Sequence, residues 1–141
     1  MSTPDRPGAN QAVAPDSPDR PSRRWPRWAL RITSTAAAVL LFDQAIFAGS
    51  FLSGSYGALL THEDNARFAA IATLLTLVSS ILVAGVGKGP RWPIVAASGL
   101  FVLVGLQIVL GYTGMVALHV PVGVATIVVA VVTTVWTWRR V

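Results

Sequence analysis

The feature that most constrains this chain is a set of four long apolar stretches, at about 28–52, 66–86, 92–112 and 116–138. Each is close to the ~20 residues that a helix needs to cross ~30 Å of hydrocarbon. Inside a bilayer every backbone N–H and C=O must find its partner within the protein, which leaves helices and closed barrels as spanning structures. Barrel strands alternate apolar and polar residues with a period of two. These runs are too long and too continuous for that, the valine-rich fourth included. The expected fold is therefore all-α: a bundle of four transmembrane helices forming one membrane domain over residues 25–141.

Composition agrees. The chain is 53% apolar and only 12% charged, whereas ~25% of residues are charged in a soluble domain. A water-facing surface could not be covered with so few polar side chains. Cysteine is absent, which excludes a disulfide framework, covalent c-type haem attachment, iron–sulfur clusters and thiolate zinc sites. No glycine-rich phosphate loop, Gly-x-Ser-x-Gly elbow or catalytic carboxylate pair is present.

Residues 1–24 are rich in Pro, Asp, Ser, Gly and Arg and nearly free of large apolar side chains, the composition of a disordered tail. Basic residues cluster in this tail, in the 85–91 connection (Lys88, Arg91) and at Arg139–Arg140, while the 53–65 and 111–115 connections carry none. With four helices, all three basic segments fall on one side. The positive-inside rule makes that side cytoplasmic, with both termini there. Trp25, Trp28, Trp92, Trp136 and Trp138 fall at the same edge, as expected of side chains that favour the headgroup zone. The arginines flank helices and form no nucleic-acid-binding face, so the expected partner is the lipid bilayer of the plasma membrane. The Arg23–Arg24 pair precedes Trp25-Pro26 and not an apolar run, and Ile46-Phe47-Ala48 is a poor cleavage site. The first stretch is accordingly read as a retained helix and not a signal peptide.

Polar residues inside such helices carry the functional information, because a charge at the helix centre costs roughly 2.5–3.5 kcal/mol. They are Asp43, Gln44, Arg67, Gln107 and His119, with His62 at the edge. At 1.5 Å per residue, Gln44, Gln107, His62 and His119 all lie roughly 0–12 Å below the outer surface. Each pair of helices also reads alike: an outward helix with Gln44 or Gln107, a turn, then an inward helix with His62 or His119, followed at i+4 by Ala66 or Gly123. A two-fold repeat of helix pairs would set the two histidines across the bundle from each other.

Two facing imidazoles can ligate a haem iron from both sides, and helix bundles commonly hold such cofactors in their cores. The expected cofactor is one b-type haem with His62 and His119 as metal ligands. Gln44 and Gln107 would bond a ligand imidazole or a propionate, and Arg67 would pair with a propionate. Small residues on the same faces (Ala66, Ala69, Ala70 and Thr73; Gly123, Thr126 and Ala130) would admit a flat macrocycle. A structural account of the same residues is also available. Thr61-x-x-Asp64 has the form of a helix cap, and His119 could bond a carbonyl at a helix start marked by Pro121. Arg67 could pair with Asp43, the glutamines could link helices, and small residues could serve close packing.

The segments Leu106-Gln107-Ile108-Val109-Leu110-Gly111 and Leu118-His119-Val120-Pro121-Val122-Gly123 resemble one four-helix half of haem A synthase. The His…Gln…His order is also similar to that of small uncharacterised four-helix membrane proteins of the cytochrome b561-like kind. The resemblance spans about 38–130 on a few motif positions. It implies haem held by His62 and His119. It departs from the synthase in having four helices where that family has eight. Ala58 also stands where the family has an acidic residue four positions before a histidine, and outer-loop cysteines are lacking. Those departures argue against oxidative chemistry on a haem substrate.

Three functions follow as candidates. One is electron transfer or haem handling, with a membrane redox partner or a homodimer. The second is a cofactor-free membrane scaffold or subunit. The third is a small proton-linked transporter using Asp43, Arg67 and His62.

Overall fold

The computed structural model describes residues 24–141. The tail expected to be disordered lies almost wholly outside them. Among the described residues there are four helices and no strand: α1 (Trp25–Leu52), α2 (Ala58–Gly85), α3 (Trp92–Tyr112) and α4 (Val116–Arg140). All four are long and apolar enough to cross a membrane. Large apolar side chains such as Ile32, Phe42, Phe68, Val95, Val102 and Val132 lie exposed around the bundle. Lipid, and not water, is the solvent for that surface. The protein is a multi-pass integral membrane protein.

The interior is made of small residues. Ala38, Leu41, Ala69, Leu100, Val104 and Ala130 form the central apolar cluster. Nearer the ends of α2 and α4, buried positions are mostly hydroxyls: Ser34, Thr76, Ser79, Ser80, Thr133 and Thr137. Thr76, Ser80 and Thr137 each return the hydroxyl hydrogen to the carbonyl four residues earlier. Their polar atoms are thereby satisfied within the helix, and the side chain takes little more room than Ala, so backbones can approach closely. Thr134 Oγ1 donates across to the Ser34 carbonyl at 2.9 Å and links α4 to α1.

Each helix touches two neighbours. The packed pairs are α1–α2, α2–α3, α1–α4 and α3–α4, so α1 and α3 stand on one diagonal and α2 and α4 on the other. Helices α1 and α3 both open with Trp-Pro, placing Pro26 and Pro93 in the first turn, where a missing N–H breaks no helical bond. Gly114 takes φ +68 in the short turn between α3 and α4, a conformation available at little strain only without a side chain.

The helix bounds agree with expectation for α3 and differ elsewhere. Helix α2 starts at Ala58 and not near 66, about two turns earlier. The polar run from Thr61 to Arg67 interrupts hydropathy without interrupting the helix, and His62, Asp64, Asn65 and Arg67 find partners there. Thr61 is consequently an interior helical residue, and the expected cap at Thr61-x-x-Asp64 is not formed; Gly57 occupies the cap position. Pro121 likewise lies inside α4 and not at its start. Lacking an N–H, it leaves the carbonyl four residues earlier, at Ala117, without its helical donor.

Candidate functional site

At the end of the bundle away from the basic segments, His62 stands in the second turn of α2 and His119 in the first turn of α4. These helices are diagonal partners. Their imidazole rings nevertheless meet, with centroids 6.0 Å apart and planes inclined by 59°. Both rings are partly buried.

Each ring is fixed in the same way. His62 Nδ1 lies 3.1 Å from the backbone carbonyl oxygen of Gln44, and His119 Nδ1 lies 3.0 Å from that of Gln107. A carbonyl oxygen only accepts, so Nδ1 carries the hydrogen in both contacts. In the neutral ring this leaves Nε2 with a free lone pair. A metal-binding histidine usually has the same arrangement, with one nitrogen anchored by an outer hydrogen bond and the other available.

The glutamines bring their side chains to the same layer. Gln44 Nε2 donates to the His62 carbonyl at 3.1 Å, so α1 and α2 exchange two bonds between one pair of residues. Its Oε1 is buried without a partner, and so is Nε2 of Gln107. Gly123 is where Gln107 rests: a methyl group there would sit 3.4 Å from Gln107 Oε1. Gly111 backs the His119 ring, with a methyl at that position 3.4 Å from Cε1. Thus one small residue expected to face a macrocycle, Gly123, instead receives a glutamine side chain. Ala69 and Ala130 belong to the apolar cluster; Ala69 is seven residues and about 10 Å deeper than His62.

Arg67 is drawn elsewhere. It bonds Asp64 at 3.1 Å, one turn back on α2, and both side chains are largely exposed. The expected Arg67–Asp43 pair is not formed, because Asp64 on the same helix face is nearer to hand. Among the described residues Asp43 has no ion pair.

Asn65 shares one face of α2 with His62. It is buried and donates from Nδ2 to the Leu40 carbonyl at 2.8 Å. Carbonyls 40 and 44, one turn apart on α1, thus receive Asn65 and His62, three apart on α2. The i, i+3 spacing of the two polar residues is the sequence signal for that shared face.

Among the described residues no group of three or more His, Asp or Glu side chains could hold a metal ion. What the site offers is two neighbouring imidazoles, each with Nδ1 engaged. Comparison of the chain with protein families, with curated proteins and with solved structures finds no match.

Proposed function

We propose that the protein binds one b-type haem between His62 and His119 and serves electron transfer or haem handling in the membrane. The observation that carries this reading is the pair of imidazoles 6.0 Å apart on diagonal helices, each with Nδ1 held by a backbone carbonyl. With a metal–imidazole bond of ~2 Å, that spacing is on the scale of two imidazoles sharing one metal, and His62 and His119 would hold the haem iron through Nε2. A structural zinc takes four protein ligands and a catalytic one three. A haem, whose macrocycle supplies most of the iron's ligands, would need only His62 and His119 from the protein.

Bound haem would supply a one-electron couple at this site. The residues of the chain do the rest. The Gln44 and Gln107 carbonyls orient the rings and raise the basicity of Nε2. The unpartnered Oε1 of Gln44 and Nε2 of Gln107 offer an acceptor and a donor to a cofactor's polar edge. The paired histidine–glutamine contacts are consistent with a duplicated helix pair and with the resemblance to half of haem A synthase. The basic end, with Lys88, Arg91, Arg139 and Arg140, is assigned to the cytoplasm by the positive-inside rule, which puts the histidine layer near the outer face of the plasma membrane.

The test is an oxidised and a dithionite-reduced absorption spectrum of detergent-purified protein expressed with haem supply. Near-stoichiometric haem with a sharp low-spin reduced band is expected. A protein-only spectrum from folded material would sink this reading. It would leave the second one, a cofactor-free scaffold, which is favoured by the direct links Gln44–His62 and Asn65–Leu40 between α1 and α2.

A further inference from the structure

At the opposite end of the bundle a cavity of about 460 Å³ opens between the start of α1, the turn after α2 and the end of α4. Its volume falls within the ~300–1,000 Å³ of ligand clefts. Arg24, Arg27, Trp28, Arg31, Lys88 and Val141 line it. Among the described residues none of its four cations pairs with a carboxylate; the ion pair found there joins Arg67 to Asp64 at the far end of α2.

Arg31 and Lys88 stand out among these cations. Arg31 is fixed between two indoles, its guanidinium carbon 5.2 Å from the rings of both Trp28 and Trp138. Trp138 is itself tied to α1 through Nε1, which donates to Thr35 Oγ1 at 3.0 Å. The Arg31 Nε is buried and has no acceptor. Lys88 has φ +49, the one positive φ at a non-glycine among the described residues. That left-handed backbone is strained for a residue with a side chain. The neighbouring glycines do not relieve it, because both are committed to close contact with Val83: a Cβ on Gly87 would lie 2.8 Å from its carbonyl oxygen, and one on Gly89 would lie 2.7 Å from its Cγ1. The turn thus carries a lysine in a backbone conformation that glycine would take more easily.

The cavity also lies level with Trp25, Trp28 and Trp138, all exposed, in the zone where indoles meet lipid headgroups. Planar guanidinium groups recognise phosphate oxygens in pairs, and basic recesses between membrane helices hold anionic headgroups. We infer that this cavity is a phosphate site for the headgroup of an anionic phospholipid, with Arg31 as its fixed cation and Arg24, Arg27 and Lys88 at its rim.

The full chain in a zwitterionic detergent, examined by native mass spectrometry with added phosphatidylglycerol or phosphatidylcholine, tests this. Phosphatidylglycerol is expected to be retained at least about tenfold more than phosphatidylcholine: both offer the same phosphate oxygens, but phosphatidylcholine adds a choline cation that Arg24, Arg27, Arg31 and Lys88 repel. Equal retention overturns the site. Inorganic phosphate in a third arm separates the sources. Lipid that stays bound in its presence supports a headgroup site; lipid displaced by it at equal concentration overturns the lipid source in favour of soluble phosphate. Arg31→Gln is expected to lower retention about tenfold. Because that change also removes the cation from between Trp28 and Trp138, Lys88→Gly is the cleaner variant. It relaxes the turn, so lipid-free protein is expected to unfold at the same temperature or higher, while lipid retention falls by a similar factor. Full retention in both variants overturns the proposal.

Discussion

The ring centres of His62 and His119 are 6.0 Å apart, although no Cα atoms of their helices come within 8 Å of each other. The side chains close a gap that the backbones leave open. Around that gap each ring is secured to its own sequence neighbour in the hairpin, His62 to Gln44 and His119 to Gln107. The two rings are set independently and meet at the diagonal.

If the pair binds haem, His119→Ala is expected to abolish the low-spin reduced band while the protein still inserts and purifies. His62→Ala should do the same. Loss of the bond to the Gln107 carbonyl costs only about 0.6–2 kcal/mol in a membrane, which leaves the fold intact. A full haem complement in either purified variant would falsify the assignment of that histidine.

The two glutamines are expected to behave differently. Gln44→Leu removes the donor to the His62 carbonyl and should lower stability by about 0.6–2 kcal/mol. Gln107→Leu removes a buried Nε2 that has no partner, and in cofactor-free protein should cost less. Denaturation in mixed micelles reads the difference. A larger loss at Gln107 would mean that its amide is engaged, contrary to the geometry.

Gly87→Ala drives a Cβ to 2.8 Å from the Val83 carbonyl. Backbone cannot step aside as a side chain can, so a loss of about 1–3 kcal/mol is expected, the scale of overpacking. Gly99→Ala is the control. Nothing lies within 4 Å of its Cβ position, and a helix interior favours Ala by about 0.5–1 kcal/mol. Thermal unfolding of the two variants should move in opposite directions.

Arg67→Gln breaks an exposed i, i+3 pair with Asp64, worth about 0–1 kcal/mol. Stability should hardly change. Haem content reads the other role considered for this residue: a drop in retained haem would support propionate binding, and an unchanged content would remove it. Asp43→Asn, assayed for pH-driven flux in liposomes, does the same for transport.

Much of this architecture is legible in the sequence because lipid simplifies the code. Apolar length alone marks α3, whose ends coincide with Trp92-Pro93 and the glycines after Leu110. The start of α2 is not legible in the same way. Hydropathy falls at Thr61, His62, Glu63, Asp64 and Asn65, and nothing in those letters says that Asn65 reaches Leu40 or that His62 reaches Gln44. Both acceptors are backbone carbonyls, which every residue carries and no residue type announces. For the same reason the order of histidines and glutamines points to one layer, while the atoms that join them emerge only from the folded chain. The buried hydroxyls are a different case. Ser and Thr are inexpensive in a membrane helix and so carry no signal one by one; only together do Thr76, Ser80, Thr133 and Thr137 define the packing of one half of the bundle.

The short turn at Gly114 has a consequence for biogenesis. Gln107 and His119 are only twelve residues apart, and their contact is complete within the α3–α4 hairpin. Gln44 and His62 are likewise joined within α1–α2. Each hairpin can therefore leave the translocation machinery with its imidazole already aimed. The facing pair itself comes into being later, when the second hairpin docks beside the first. A ligand bridging the two rings would register that docking, serving as a clasp that marks a fully assembled chain.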